Sequence, residues 1–267
     1  MKVTVVQPSY FVDGKPDEVI AELLLSALED IDKDELIVLP EYSNAGGIST
    51  QKEELEALPR AKGMLARASE LAKEKGAYVS INVLEERDGK IKNSTYLYNK
   101  KGEVAFIYNK QHLPPSEVRL GVGPETKCNC ICDLDGLRFA FLTCYDVYFN
   151  EQIEYIAKAK PDIIIVPGYQ RGERTDIIEA QAKLLAFRTN AFVLRSSFSM
   201  GKETHGGNTM IVAPNGEILK SLGAKVGKLS LDIDPKEKYM RTADYGEGLI
   251  RNDDFINNGL CKDAFKE

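Results

Sequence analysis

Apolar and polar positions recur along this chain with two different periods, and the switches between them outline its elements. Residues 2–6 and 36–39 are short apolar runs that read as buried strands. Between them, residues 17–31 carry Val19, Ile20, Leu23, Leu24, Ala27, Leu28 and Ile31 at helical spacing. A second helix is expected over about residues 52–75, with Leu55, Leu58, Leu65, Ala68, Leu71 and Ala72 on one face. Gly76 follows it, where a left-handed residue often closes a helix. Strand-like runs then occupy residues 78–84, 95–98 and 104–108. Asp88-Gly89 and Lys101-Gly102 supply turn chemistry between them, so antiparallel hairpins are expected.

Beyond a polar loop over residues 109–127, runs at 130–134 and 138–142 flank Asp135-Gly136. A helix over 149–159 leads to a strand at 163–166, and a helix over 175–190 leads to a strand at 192–194. Runs at 209–213 and 217–219 flank the turn Pro214-Asn215-Gly216. Helices thus alternate with strands toward both ends, and hairpins fill the middle. This pattern predicts a mixed sheet covered by helices in one α/β domain spanning residues 1–267. No internal repeat, low-complexity tract or Pro/Gly/Ser linker marks a boundary. Periodicity leaves the number of sheets open.

Composition narrows the function classes. The net charge is −6 and the pI is near 5.3, with Lys and Arg dispersed among acids, which argues against a nucleic-acid binder. No run approaches the roughly 20 apolar residues of a membrane span, and Pro8 soon ends the first one. A cytoplasmic location is therefore expected, with the five cysteines as thiols and not a disulfide framework.

Three segments place a reactive side chain at or just past the end of an apolar strand. In Ile37-Val38-Leu39-Pro40-Glu41-Tyr42, a carboxylate lies where its surroundings could raise its pKa. Taken alone, Glu41 reads more simply as a strand-end acid facing water. In Tyr108-Asn109-Lys110-Gln111-His112-Leu113-Pro114-Pro115, Lys110 by itself would be a surface lysine and His112 a structural hydrogen-bonder. In Phe139-Ala140-Phe141-Leu142-Thr143-Cys144-Tyr145-Asp146, the cysteine precedes a predicted helix, whose N-terminus favours a thiolate. A buried, inert cysteine fits that segment equally well.

Taken together, the three segments are far more specific. Over nearly its whole length the chain resembles the nitrilase-like carbon–nitrogen hydrolases. The resemblance implies that Glu41 is the general base of an apolar-x-Pro-Glu pattern, Lys110 the catalytic lysine of Lys-x-His-Leu, and Cys144 the nucleophile of Cys-Tyr/Trp-Asp. It places Glu117 in the loop where many members carry a second acidic active-site residue, although the flanking similarity there is poorer. Gly207-Asn208-Thr209 with Pro214-Asn215-Gly216, residues 162–167 and Arg188-Thr189-Asn190 also fit. The resemblance further implies a four-layer α-β-β-α sandwich, a homodimer or larger assembly, and chemistry that needs no metal or organic cofactor.

The chemistry so implied is cysteine-dependent hydrolysis of a small amide or N-carbamoyl compound through a thioester. A free cysteine has a pKa near 8.5, and an ammonium about 4 Å away at an effective dielectric near 20 favours the thiolate by roughly 4 kcal/mol. Each nearby glutamate opposes it. Two glutamates, a lysine and a thiolate would sum to −2, so shared protons are expected: one glutamate is protonated, or the thiol is deprotonated only as it attacks. The backbone N–H of Tyr145 is a candidate oxyanion donor, and Tyr42, Tyr148, Tyr169 and Arg171 follow strand ends on the same side. Carboxylate-handling members often carry arginine just after Cys-x-Asp, where this chain has Val147 and Tyr148; Arg171 or Arg195 could replace it, though both read more simply as solvated arginines.

Other readings compete. A papain-like Cys–His pair would have only His112 or His205 as base. Cys128-Asn129-Cys130-Ile131-Cys132 invites a zinc site, but alternate residues on a strand do not form Cys-x-x-Cys knuckles. A nitrilase acting on a small nitrile would use the same nucleophile. A catalytically silent binding protein of the same fold is the alternative from another class, against which the intact Glu41, Lys110 and Cys144 argue. The membrane-embedded acyltransferase branch requires spanning segments that this sequence lacks.

Overall fold

The computed structural model describes residues 1–10, 16–48, 50–125, 127, 129–246 and 248–259, and the side chains of 16–20 are also outside the description. Val19 and Ile20 of the first predicted helix, and Cys128 of the cysteine cluster, therefore fall outside it.

In the first half of the chain, β1 (Lys2–Gln7), β2 (Leu36–Val38), β3 (Tyr78–Arg87), β4 (Lys90–Tyr98) and β5 (Val104–Asn109) lie side by side. The second half supplies β6 (Ile131–Leu134), β7 (Leu137–Phe141), β8 (Ile163–Pro167), β9 (Phe192–Ser196), β10 (Met210–Val212) and β11 (Ile218–Ser221) to another sheet, side by side in chain order. Then β12 (Gly227–Asp232) returns to the first sheet and pairs antiparallel with β1, Lys2 opposite Asp232. Both six-stranded sheets are mixed: β1–β2–β3 and β7–β8–β9 are parallel, and the outer pairs antiparallel. Asp88-Gly89 and Asp135-Gly136 both have positive φ, as the predicted tight hairpin turns require.

Period-two alternation explains the layering. Val3, Val5, Leu36 and Val38 point into one apolar core, which they share with Phe139, Phe141, Ile163, Ile165 and Leu194 of the other sheet. Val6, Ile37, Leu39, Val79 and Ile81 point the other way, onto helices α1 (Pro16–Glu29) and α3 (Arg60–Lys75), of which Leu24, Leu28, Met64, Ala68 and Leu71 belong to that second cluster. The intervening α2 (Gln51–Ala57) packs instead through Ala57 into a smaller cluster with Tyr42, Ile48 and Leu84. After the short α4 (Pro115–Leu120), α5 (Asn150–Ala159) and α6 (Thr175–Thr189) cover the far face of the second sheet through Ile156, Ile178 and Leu185. A small hairpin of β13 (Met240–Thr242) and β14 (Leu249–Arg251) precedes α7 (Asn252–Asn258). The result is a four-layer α-β-β-α sandwich. Among the described residues no helix is long and apolar enough to cross a membrane.

Three local expectations are corrected. The helix predicted over residues 52–75 is two helices, because Pro59 lacks the N–H that a continuous helix would use and instead starts α3. Its Leu55, like Leu23 of α1, faces solvent. The polar loop at 109–127 contains α4, started by the prolines at 114 and 115. Finally, the strand β12 was not anticipated, since only two residues of its Gly-Lys-Leu-Ser-Leu-Asp segment are hydrophobic.

Phe141 lies fully buried where the sheets meet, its ring 5.0 Å from that of Phe106 and 6.3 Å from that of Tyr108. Phe141→Ala is expected to cost about 3–5 kcal/mol of stability, read as a lower urea midpoint with little change in slope.

Candidate active site

Chain direction brings the reactive segments to one end of the sandwich. Glu41 follows β2, Lys110 follows β5, Cys144 follows β7, and Tyr169 with Arg171 follows β8. All of these side chains line one cavity of about 370 Å³.

Glu41 is buried at a turn that begins with Pro40. The next residue, Tyr42, holds a left-handed backbone (φ 56°), as does Cys144 (φ 48°). Such conformations cost roughly 1–3 kcal/mol in a non-glycine residue, so the surroundings must enforce them. For Tyr42 one restraint is its N–H, which donates to Asn82 Oδ1 at 2.8 Å.

Lys110 is buried between two acids: its Nζ donates to Glu41 Oε1 at 2.8 Å and to Glu117 Oε1 at 2.7 Å. Asn93 Nδ2 donates to the same two oxygens, at 2.8 and 3.2 Å, and Tyr42 OH donates to Glu117 Oε1 at 2.8 Å. Oε2 of each glutamate makes no hydrogen bond among the described residues. Burial alone would push the Lys110 pKa down, but Glu41 and Glu117 outweigh it and hold the ammonium charged. Burial raises the Glu117 pKa, and the negative charge of Glu41 adds to it against the pull of Lys110.

Cys144 is partly accessible from the cavity. Desolvation drives its pKa up, Glu41 adds to the rise, and Lys110 offsets only part of it. The thiol is therefore neutral at rest, contrary to the expectation that a helix N-terminus would favour the thiolate. Desolvation, with Glu41 second, outweighs the groups that favour the thiolate; Cys144 itself opens a 3₁₀ turn, Cys144–Tyr148, ahead of the α-helix that starts at Asn150. Both expected protonation devices, a raised glutamate and a thiol that keeps its proton, are present in direction.

Asp146, two residues on, ties the lysine loop to the cysteine turn. It is fully buried, and its carboxylate accepts from Thr143 N–H at 2.9 Å, Tyr108 OH at 2.6 Å and His112 N–H at 2.9 Å. The His112 Nδ1 lies 3.0 Å from Asp146 Oδ1, and its ring stacks on Phe149 at 3.7 Å. His112 is thus a clamp between segments, consistent with its expected structural role.

The tyrosines fall into two groups. Tyr145, Tyr148 and Tyr169 form the cavity wall, whereas Tyr42, although it lines the cavity, spends its hydroxyl on Glu117. Arg171 stands on the rim with Glu54 and Glu173. Arg195 is a correction: it is neither solvated nor in the cavity lining. Its buried guanidinium donates to Gly207 O, Asn208 O and Gln170 Oε1, at 2.5, 3.0 and 3.0 Å. Cys130 and Cys132 pack in the core between the sheets, away from the cavity lining.

Sequence reasoning missed Asn93, Asn82, Glu54 and Glu173. A signal existed for the first two: Asn82, Asn93 and Thr95 are polar residues on otherwise buried strands, and they hydrogen-bond one another at 2.7–3.0 Å. Buried polar groups on strands are retained where they hold something in place.

The carbon-nitrogen hydrolase family model matches residues 2–238, and the chain belongs to that family. It is similar to the 2-oxoglutaramate amidase of Bacillus subtilis (strain 168), with 24% identity over 230 residues covering 84% of this chain and 87% of the relative. It is similar also to the hydrolase in agr operon of Staphylococcus lugdunensis, 25% identical over 232 residues covering 81% and 95%. Among solved structures, an amidase from Nesterenkonia sp. shares the fold with a TM-score of 0.75 and 20% identity, over 88% of this chain and 90% of that one.

The raised pKa of His112, caused chiefly by its hydrogen bond to Asp146 and opposed by burial, has a definite sign. A group whose pKa is raised on folding stabilises fully below its unfolded value, near 6.5, and loses that contribution as pH rises through the folded value. The melting-temperature gap between the wild type and His112→Asn is therefore expected to be widest below about pH 6.5 and to narrow toward alkaline pH.

Proposed function

We propose that the protein hydrolyses the C–N bond of a small aliphatic amide or N-carbamoyl compound through a thioester on Cys144. The observation that carries this reading is the Lys110 ammonium, held 2.7–2.8 Å from two buried carboxyls in the cavity that the Cys144 thiol also lines.

In the proposed cycle, Glu41 takes the thiol proton as sulfur attacks the carbonyl carbon. This timing suits a thiol whose pKa is raised, because the proton leaves only as the C–S bond forms. Lys110 engages two of its three N–H donors on the glutamates, so a third remains for the developing oxyanion, together with the backbone N–H of Tyr145. Glu41 then protonates the departing ammonia or amine. A water, deprotonated by Glu41 and oriented by Glu117, attacks the thioester and releases the acid and the thiol. Asn93 and Tyr42 hold the two glutamates, and Asp146 holds the lysine loop against the cysteine turn.

The amidase names of relatives favour an amide over a nitrile substrate. The family resemblance supports a single domain over residues 1–267, working in the cytoplasm as a homodimer or larger assembly. A screen of short amides, carbamoyl compounds and nitriles for ammonia release tests the reading. Ammonia and acid are expected from amides or carbamoyl compounds, with activity reduced roughly a thousandfold or more in Cys144→Ala. Full activity in that variant would refute the mechanism, and turnover of nitriles alone would replace the substrate class.

A further inference from the structure

The mouth of the cavity holds a cation that the proposed cycle does not use. Arg171 lies at the rim with its Nη1 donating to Tyr10 OH at 2.7 Å, while its guanidinium carbon sits 5.0 Å from the centre of the Tyr169 ring and 5.6 Å from that of Tyr10. Tyr10 is itself held, its hydroxyl donating to Ile48 O at 2.8 Å, and Tyr169 packs edge-on against Tyr42 and Phe198. No carboxylate among the described residues lies within ion-pair distance of Arg171, whereas Arg67, Arg87, Arg138, Arg174, Arg188 and Arg251 each have one. An arginine fixed by two aromatic rings, with most of its five donors uncommitted, differs from the freely solvated side chain expected from sequence.

Resting on the proposed amide hydrolysis, we infer that Arg171 is the recognition point for a carboxylate at the end of the substrate opposite the scissile amide. Cys144, Lys110 and both glutamates line the same cavity as Arg171, with Arg171 exposed to solvent while Glu41, Lys110 and Glu117 are buried. Tyr169, whose ring lies under the guanidinium and which lines the cavity with Tyr145 and Tyr148, gives an apolar surface suited to a short methylene chain.

The acids at the mouth bear on the sign. Glu173 is already engaged, since it accepts from Tyr148 OH and from the Arg174 N–H. Glu54 is half-buried on α2, and burial raises its pKa against the opposing charge of Arg171. It therefore competes weakly with an incoming carboxylate for the same guanidinium. A planar guanidinium can instead give a substrate carboxylate two parallel hydrogen bonds.

The test uses three amides of similar length: succinamate, butyramide and 4-aminobutyramide, which end in a carboxylate, a methyl and an ammonium. Succinamate is expected to have the highest kcat/KM with the intact enzyme. Arg171→Gln is expected to raise its KM by roughly 10–100-fold, the span of one or two hydrogen bonds to a charged group, while leaving butyramide within about threefold. Glu54→Gln is expected to act oppositely and lower the KM for succinamate. Equal rates on succinamate and butyramide, a preference for 4-aminobutyramide, or an unchanged KM in Arg171→Gln would each overturn the inference. Ammonia release from butyramide would in every such case leave the amidase reading standing, and failure on all three amides as well as on the wider screen would bring down that reading instead.

Discussion

One buried ammonium between two buried carboxyls is the constraint on which the site depends. Removing such groups from water costs several kcal/mol per ion, and mutual attraction repays this only when the geometry is tight. Lys110 meets that condition with its two short contacts, and Asn93 and Tyr42 add further donors to the same oxygens. The cluster still carries more acid than base, which is why burial and like charge raise Glu117 and why the neighbouring thiol stays protonated. In the proposed cycle this arrangement lets the proton pass from sulfur to Glu41 as the electrophile is attacked, with Lys110 beside it to meet the new negative charge.

The fold serves this cluster by fixing segments far apart in sequence to a common frame. Both faces of the central strands are buried, so their register cannot slip without moving apolar residues out of one core or the other. Strand ends are thereby held firmly, and the two left-handed residues, Tyr42 and Cys144, sit just beyond them. Asp146 completes the frame, because its carboxylate links the end of β5, the lysine loop and the cysteine turn in a single set of hydrogen bonds.

Much of this was legible in the sequence, for identifiable reasons. The central strands are short apolar runs, and their reactive residues follow at once, so Glu41, Lys110 and Cys144 stood out as a set. Glu117 was placed by resemblance alone, and the structure brings it to Lys110. What stayed hidden depends on distant partners. The pairing of β12 with β1 joins residues more than 200 positions apart, and nothing local in Gly227–Asp232 announces it. Arg195 and Arg171 look alike as letters, yet one is sealed against backbone carbonyls and the other opens on the cavity, a difference set by their neighbours. The strength of the desolvation at Cys144 depends on the packing around the cavity, which the sequence does not display, so the helix-start argument for a thiolate was outweighed.

The most direct test is to trap the enzyme during turnover of a slow amide substrate by rapid acid quench and to measure the intact mass and the peptide map. A covalent intermediate requires a mass gain equal to the acyl group, located on the peptide that contains Cys144 and lost on standing in neutral buffer. Sustained hydrolysis with no adduct, in an enzyme whose chemistry is shown to precede the slow step, or an adduct on another residue, would contradict the account.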